Sequence, residues 1–402
     1  MQNALNKLFS ALGKVFSVPT ASALCQARQK LNPEIFQYLN EIVCTDFYTL
    51  SEEEEVQRWR GHRLIACDGT YLNLPDNPET RSEFFLQTNQ FKQGSAVQAL
   101  ACVVYDLLNG LALCATLGTR TGGEKMPLME QMWEKTEASD ILVLDRHYAS
   151  FALLAWAVET GREVVVRLPR SGFKEARPLL QKGSKIKEKV VEIKCPVTSL
   201  SFVREHQLAE RLTVRFIRVP LVSGEIEVLA TTLVDANEYP THEFKWLYGK
   251  RWLEETFFNR VKNIFEVERF SGESPVAIKQ DFYGVLFLAS MESALASSDQ
   301  KLLIEEAEAR NLQRGRKASE DDEGASREPQ VNHAVSYLAL LERVVELLMS
   351  RKSEEKILEE IHHLFRMNPT RARPGRRYER PEEKSHRAQR LRHHKYVKKI
   401  IA

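Results

Sequence analysis

At the start of the chain apolar residues recur at helical spacing, with Leu5, Leu8, Phe9, Leu12 and Phe16 on one face. After Pro19 the run TASALCQARQKL predicts a second helix, with Thr20 or Ser22 as N-cap. Near residue 59 the pattern changes to short apolar runs. RLIACDGT predicts a buried strand from Leu64 to Cys67 that ends at Asp68-Gly69. SAVQALACVVYDLLNGLALCATLGT predicts two apolar strands joined near Asn109-Gly110, a dipeptide that favours tight hairpin turns. EKMPLMEQMWEKTE predicts a helix after Gly122-Gly123, and DILVLDRHY a continuous apolar strand from Ile141 to Leu144 that terminates at Asp145. SFALLAWAVETG then reads as a helix stopped by Gly161, and EVVVRL as a further strand.

Three strands, a helix, a strand, a helix and a strand imply an α/β fold, a mixed sheet with helices on its faces. The same order matches the ribonuclease-H-like arrangement, in which a three-stranded meander precedes parallel strands. From about Pro169 to Glu238 the helical period vanishes. KVVEIKC, LTVRFIRV and EIEVLATTL are short, β-branched and separated by Gly, Pro and Ser, which predicts an all-β insertion. Tyr239-Pro240-Thr241 marks a break and an N-cap, and WLYGKRWLEETFFNRVKNIF then predicts one helix. Further helices are predicted from Val276 to about Ala309, over HAVSYLALLERVVELLMS, and after Ser353 as cap with Glu354 and Glu355 in the first turn. The predicted organisation is a helical, DNA-binding N-terminal domain (1–58), a ribonuclease-H-like core (59–168 and 239–310) interrupted by the insertion (169–238), a charged linker (311–330), C-terminal helices (331–365) and a basic tail (366–402).

Composition narrows the function classes. With 43% hydrophobic and 28% charged residues over 402 positions, and no apolar run of membrane-spanning length, the chain reads as soluble and multi-domain. MQNALNKLFSALGKVFSV lacks a signal-peptide core and cleavage site, so a cytosolic protein is expected. The six cysteines are scattered without a C-x-x-C pair, which argues against a zinc site or disulfide framework and for small core residues. The net charge of +2 hides an asymmetry: from Arg366 onward there are thirteen Lys and Arg against three Glu. This Pro-containing tail, with Arg373, Arg376 and Arg377 as candidate phosphate contacts and Tyr378 and Tyr396 interspersed, is expected to stay extended until it meets nucleic acid. Arg28 and Lys30 in the N-terminal helices are further candidate contacts.

Three carboxylates stand out. Asp68 and Asp145 each end a predicted strand, and Glu255 lies mid-helix. Acids converging from separate elements suit hard divalent cations, and two Mg²⁺ ions about 3.5–4 Å apart serve phosphodiester cleavage. Singly each acid has an ordinary explanation: Asp68 a turn before Gly69, Asp145 a helix cap or partner of Arg146, Glu255 a surface ion pair with Arg251. On a helical wheel Tyr248, Arg251, Glu255 and Lys262 fall within roughly 60° of one another. Trp246, Leu253, Phe257, Val261 and Ile264 fall opposite and are expected to face the core. The stripe fits a solvated face, yet Trp252 on one border and Leu247, Phe258 and Phe265 on the other suit a pocket floor better; Trp252 itself is read as a packing residue.

Tyr-x₂-Arg-x₃-Glu-x₆-Lys, here Tyr248, Arg251, Glu255 and Lys262, is the YREK signature of DDE transposases from bacterial insertion sequences of family four, and the chain resembles that family. IACDGTYLNLPDNPE, DRHYAS, PTASALCQARQKL and RPGRRYERP are similar to it as well. The resemblance implies a ribonuclease-H-like catalytic core and Mg²⁺-dependent cutting at transposon ends, with Mn²⁺ as substitute. It also implies joining to target DNA by a homodimer on paired double-stranded ends, and is compatible with a hairpin intermediate. It makes Asp68, Asp145 and Glu255 the metal ligands, the spacing selecting Glu255 over Glu254, and Tyr248, Arg251 and Lys262 the phosphate contacts, with Arg146 a further one. The insertion contains no Trp, so Phe173, Phe202 or Phe216 would have to serve as any base-flipping wedge. Two other readings are a nuclease of this fold that only hydrolyses and a catalytically silent DNA-binding descendant. The intact acidic triad argues against the second.

Overall fold

Three helices open the chain, α1 (Gln2–Ala11), α2 (Ala21–Gln29) and α3 (Glu34–Leu50). The computed structural model describes residues 2–11, 18–88, 95–119, 133–181, 183–221, 224–313, 329–349 and 353–371. Thr20 is the cap of α2, its hydroxyl accepting the Ala23 N–H at 3.1 Å. α3 lies along an outer strand of the sheet, where Asn40 and Gln37 donate to the carbonyls of Ala112 (2.6 Å) and Ala115 (3.0 Å). Edge carbonyls that would otherwise invite another strand are thereby satisfied.

The centre is one nine-stranded sheet in the order β2-β3-β1-β5-β6-β9-β8-β7, with β4 also on β3. Along the chain it is built from β1 (Leu64–Asn73), a short helix α4 (Pro78–Glu83), β2 (Phe85–Thr88), β3 (Ser95–Asp106), β4 (Leu111–Gly118), β5 (Ile141–Leu144), α5 (Phe151–Glu159), β6 (Glu163–Arg167), α6 (Arg177–Leu180), β7 (Glu188–Lys194), α7 (Val197–Glu205), β8 (Arg211–Pro220) and β9 (Ile226–Thr231). β1, β3 and β4 form an antiparallel meander, and β5 and β6 run parallel to β1. This is the mixed α/β, ribonuclease-H-like core. Strand alternation divides two apolar layers. Leu64, Ala66, Ile141, Val143 and Val165 face one layer, covered by α8 (Phe244–Gly249), α9 (Trp252–Asn263) and α10 (Pro275–Gln313). Ile65, Cys67, Leu142, Leu144, Val164 and Val166 face the other, covered chiefly by α5. The far end of α10 packs with α11 (His333–Met349) and α12 (Glu354–Met367) around Leu340, Ile357, Ile361 and Phe365. No helix among the described residues is long and apolar enough to cross a membrane.

Several sequence expectations need correction. β1 does not stop at Asp68-Gly69; it continues to Asn73 because β3 pairs with it throughout, from Ile65↔Asp106 to Asn73↔Gln98. The insertion strands join the central sheet through β6–β9 pairing, and the segment is not purely β, since α7 starts after Pro196 and buries Val203. The run from Trp246 to Phe265 is two helices, not one. α8 ends at Gly249, and Lys250 and Arg251 form a turn before α9. The buried face also differs from the expected one. Phe257 and Val261 are buried as expected, but Trp246, Leu253 and Ile264 are exposed, while Tyr248, Arg251 and Glu254 are buried. Ser353 precedes α12 without a side-chain cap bond. Cys44, Cys67 and Cys102 are core residues, whereas Cys25 is exposed. Most of EKMPLMEQMWEKTE, the charged linker before Pro329 and the tail from residue 372, including Arg373, Arg376 and Arg377, lie outside the described residues.

Candidate active site

Asp68 and Asp145 are neighbours by strand register. β1 and β5 pair in parallel at Leu64↔Ile141 and Ile65↔Leu142, and the same offset carried past the end of β5 brings residues 68 and 145 to one rim, where the Asp145 charge acts on Asp68. By alternation both side chains stand on the layer that holds α8 and α9. Asp68 is fixed locally, its Oδ1 accepting the Gly69 N–H at 2.8 Å. Asp145 ends β5 and begins a tight turn, Arg146–Tyr148, without capping it by its side chain. Its Oδ2 lies 3.2 Å from His147 Nδ1, and the next helix, α5, is capped by Ser150 instead. Asp145 is therefore not consumed as a cap.

The helical residues close over this rim. The turn between α8 and α9 carries Arg251, whose guanidinium is almost wholly buried and donates to Glu255 Oε1 at 2.7 Å. The Glu255 side chain is 42% exposed, so it lies at the boundary between protein and solvent. Lys262, two turns further on, donates from Nζ to Thr70 Oγ1 (2.6 Å) and the Tyr71 carbonyl (2.8 Å), just past Asp68 on β1. Tyr248 is buried, and its hydroxyl has no hydrogen-bond partner among the described residues.

Electrostatics ties these groups together. Burial raises the Asp68 pKa, and the Asp145 and Glu255 carboxylates push it further against the opposing Gly69 N–H and Arg251. Burial works against the charge of Arg251, yet Glu255, Tyr248 and Asp145 outweigh it and hold its pKa above the ordinary value. Burial lowers the Lys262 pKa despite Glu268 nearby. Asp68, Asp145 and Glu255 thus share one field. Their side chains are not gathered into a closed three-ligand cluster, and no such group of His, Cys, Asp or Glu occurs among the described residues. Glu255 is turned towards Arg251, which provides counter-charge for it within the protein.

Residues 59–291 match the family model described as a transposase DDE domain. The chain belongs to that family. It is 26% identical over 269 residues to the transposase InsG for insertion sequence element IS4 of Escherichia coli (strain K12). That alignment covers 66% of this chain and 58% of the relative, so the chain spans less than two thirds of the relative's length. A cryo-EM structure of the piggyBac transposase synaptic complex with hairpin DNA aligns with a TM-score of 0.38 and 10% identity, over 80% of this chain and 60% of that one.

The structure places other candidates differently. Arg28 is a structural pin rather than an open cation: it donates to Gln280 Oε1 (2.6 Å), Asp281 Oδ1 (2.6 Å), the Ala277 carbonyl (3.1 Å) and Ser271 Oγ, tying α2 to α10 and the chain just before it. Lys30 and Arg146 are exposed. Trp252 does not pack inward; it is 58% exposed, with the Arg251 guanidinium 5.2 Å from its ring centre. Phe216 is wholly buried, and Phe173 and Phe202 pack on the α5 layer, so none of the three is poised as a wedge. Sequence reasoning missed Arg167. It ends β6 one residue beyond the Leu144↔Val166 pair, level with Asp145, where it pairs with Glu227 at 2.8 Å and its charge reaches Tyr248. The signal was there: EVVVR ends in a charge as DILVLD does. Glu254, beside Glu255, is buried and its charge acts on Cys67.

Proposed function

We propose that the chain is a DDE transposase that cuts the ends of a mobile element and joins them to target DNA. Support comes above all from the shared rim of Asp68 and Asp145, with Glu255 close enough to raise the Asp68 pKa. A carboxylate pushed towards its neutral form by burial, with two further carboxylates adding to the shift, is a group short of counter-charge, and an all-oxygen donor set of that kind fits a hard divalent cation. Asp68, Asp145 and Glu255 would hold it, as two Mg²⁺ ions with Mn²⁺ as substitute. Bound there, the ions would supply Lewis-acid stabilisation and a more acidic nucleophile.

The protein's own side chains do the positioning. Arg251 orients Glu255 and offers its remaining donors to a phosphate oxygen. Lys262, anchored by Thr70 and Tyr71, sets an ammonium beside the strand that carries Asp68. Tyr248 has a hydroxyl to donate, and exposed Arg146 adjoins Asp145 for a flanking phosphate. Arg373, Arg376 and Arg377 would add sequence-independent attraction to the backbone. A cytoplasmic homodimer holding two inverted-repeat ends of double-stranded DNA completes the proposal.

The test uses a supercoiled plasmid bearing the inverted repeats that flank this reading frame. Cleavage should require Mg²⁺ and fall about a thousandfold in Asp68→Asn and Glu255→Gln, comparable to removing one preorganised charge from an active site. Full cleavage by either variant overturns the assignment. Joining of the freed ends to a second plasmid separates transposition from simple hydrolysis.

A further inference from the structure

From the end of β6 to the start of β7 the chain carries a concentration of positive charge that the proposed chemistry does not use. Arg170, Lys174, Arg177, Lys185, Lys187 and Lys189 are all exposed. Two acids share the segment and both are engaged: Glu188 accepts from Arg215 Nε at 3.0 Å, and Glu175 lies 3.8 Å from Lys174. What this segment presents to solvent is therefore strongly cationic.

Its placement follows from the registers. β6 runs parallel to β5, so the chain leaves β6 on the rim of the sheet where Asp145 stands. It returns to the same rim to begin β7, because Arg167 is level with Leu229, Leu229 with Ile217, and Ile217 with Glu188. Lys187 lies one residue outside that row, its carbonyl accepting the Arg218 N–H at 2.8 Å, and Lys185 lies further out. From β5 to β7 across β6, β9 and β8 is about 19 Å at the usual strand spacing. Duplex DNA rises roughly 3.4 Å per nucleotide, so that span is on the order of six nucleotides. Lys189 shares its strand face with Val191 and Ile193, which pack on the α5 layer. Lys189 thus lies on the α5 side of the sheet, away from the Asp68 layer. Acids on this stretch of rim are Glu225, exposed at the tip of the β8–β9 hairpin, and Glu227, which pairs with Arg167 at 2.8 Å.

We propose that this rim carries the duplex flanking the cleaved phosphate, contacting its backbone about six nucleotides from Asp145. The proposal rests on the DNA-cleavage reading above. Lysines on an edge strand also guard against pairing with another chain. That role explains the three on and before β7 but not Arg170, Lys174 and Arg177, which lie off the strand.

The experiment compares the full chain, tail included, with its Lys185→Gln/Lys187→Gln/Lys189→Gln variant on a labelled duplex of roughly 40 base pairs and arbitrary sequence, since backbone contacts are sequence-independent. Affinity is measured from about 50 to 200 mM salt, where each lost phosphate contact removes roughly 0.9 from the slope of log K against log salt. The variant should show a slope shallower by about 2–3 and at least about tenfold weaker binding at the lowest salt. In the wild type, duplex should protect the same three lysines from acetylation, read by mass spectrometry. An unchanged slope, with or without aggregation of the variant, or equal acetylation with and without duplex, overturns the proposal. A wild-type chain that binds no duplex at all overturns the DNA-cleavage reading with it, which separates the two failures.

Discussion

The shared rim of Asp68 and Asp145 depends on the register of β1 against β5, and one buried ion pair sets that register. Arg63, just before β1, donates from Nε and Nη2 to the two Asp140 oxygens at 2.8 and 2.6 Å. Their side chains are 4% and 1% exposed. Asp140 precedes β5, and its Oδ2 also accepts the Glu137 N–H at 2.7 Å. The Ile141 N–H donates to the Arg63 carbonyl at 3.0 Å, so main chain and side chains clamp the strands where they begin. Converting Arg63 to Met leaves a carboxylate buried without its bidentate partner, a loss of about 3–5 kcal/mol. Against a total stability of about 5–15 kcal/mol this is a large fraction. Urea unfolding followed by tryptophan fluorescence should show the midpoint fall with little change in m. The double variant Arg63→Met/Asp140→Leu should recover most of the loss, because an apolar pair carries no uncompensated charge. A single substitution costing less than about 1 kcal/mol, the scale of an exposed pair, would refute the clamp. So would a double variant no better than the single ones.

Three further outcomes are expected. Because the fold raises the Asp68 pKa, the folded chain binds that proton more tightly than the unfolded one, and stability falls as pH rises from about 3.9 through the raised value. In cation-free buffer Asp68→Asn should therefore melt above wild type at pH 7, the difference closing below about pH 4; equal melting at pH 7 contradicts this. Arg28→Ala should release α2 from α10 at a cost on the order of 2 kcal/mol, read as faster hydrogen exchange of residues 21–29, and unchanged exchange rules out the pin. Arg251→Lys keeps the charge but loses the planar fork that holds Glu255, so cleavage should drop about a hundredfold with melting little altered; a variant with more than half the activity shows that the fork is dispensable.

What the sequence made legible was local or spaced along one chain segment. β5, α5 and β6 are bounded almost as predicted, since an unbroken apolar run and a glycine stop each act within a few residues. Of the four residues with YREK spacing, Arg251 and Glu255 carry charges that act on Asp68. Asp68-Gly69 misled, because a turn-forming dipeptide yields to a long partner strand when β3 supplies nine consecutive pairings. Arg28, Arg167 and the Arg63–Asp140 clamp escaped for one reason: each gains its meaning from a residue far away in the chain.

The helical wheel failed in a more informative way. It assumes one uninterrupted helix, whereas Lys250 and Arg251 form a turn between α8 and α9. An unbroken amphipathic helix keeps each stripe wholly buried or wholly wet along its length. The broken one instead buries Tyr248 and Arg251 while leaving Glu255 nearly half exposed. That gradation suits a site in which a buried guanidinium orients an acid that must still be reached from solvent by a cation and a DNA strand. Replacing the last residue of α8, just before the turn, with a stronger helix former, Gly249→Ala, adds a methyl that meets nothing within 4 Å. Its steric cost is therefore small, and any loss of cleavage would measure the value of the break itself. If Gly249→Ala cuts at the wild-type rate while hydrogen exchange shows residues 244–263 protected as one continuous helix, the break is incidental and the geometric argument for Arg251 and Glu255 loses its basis.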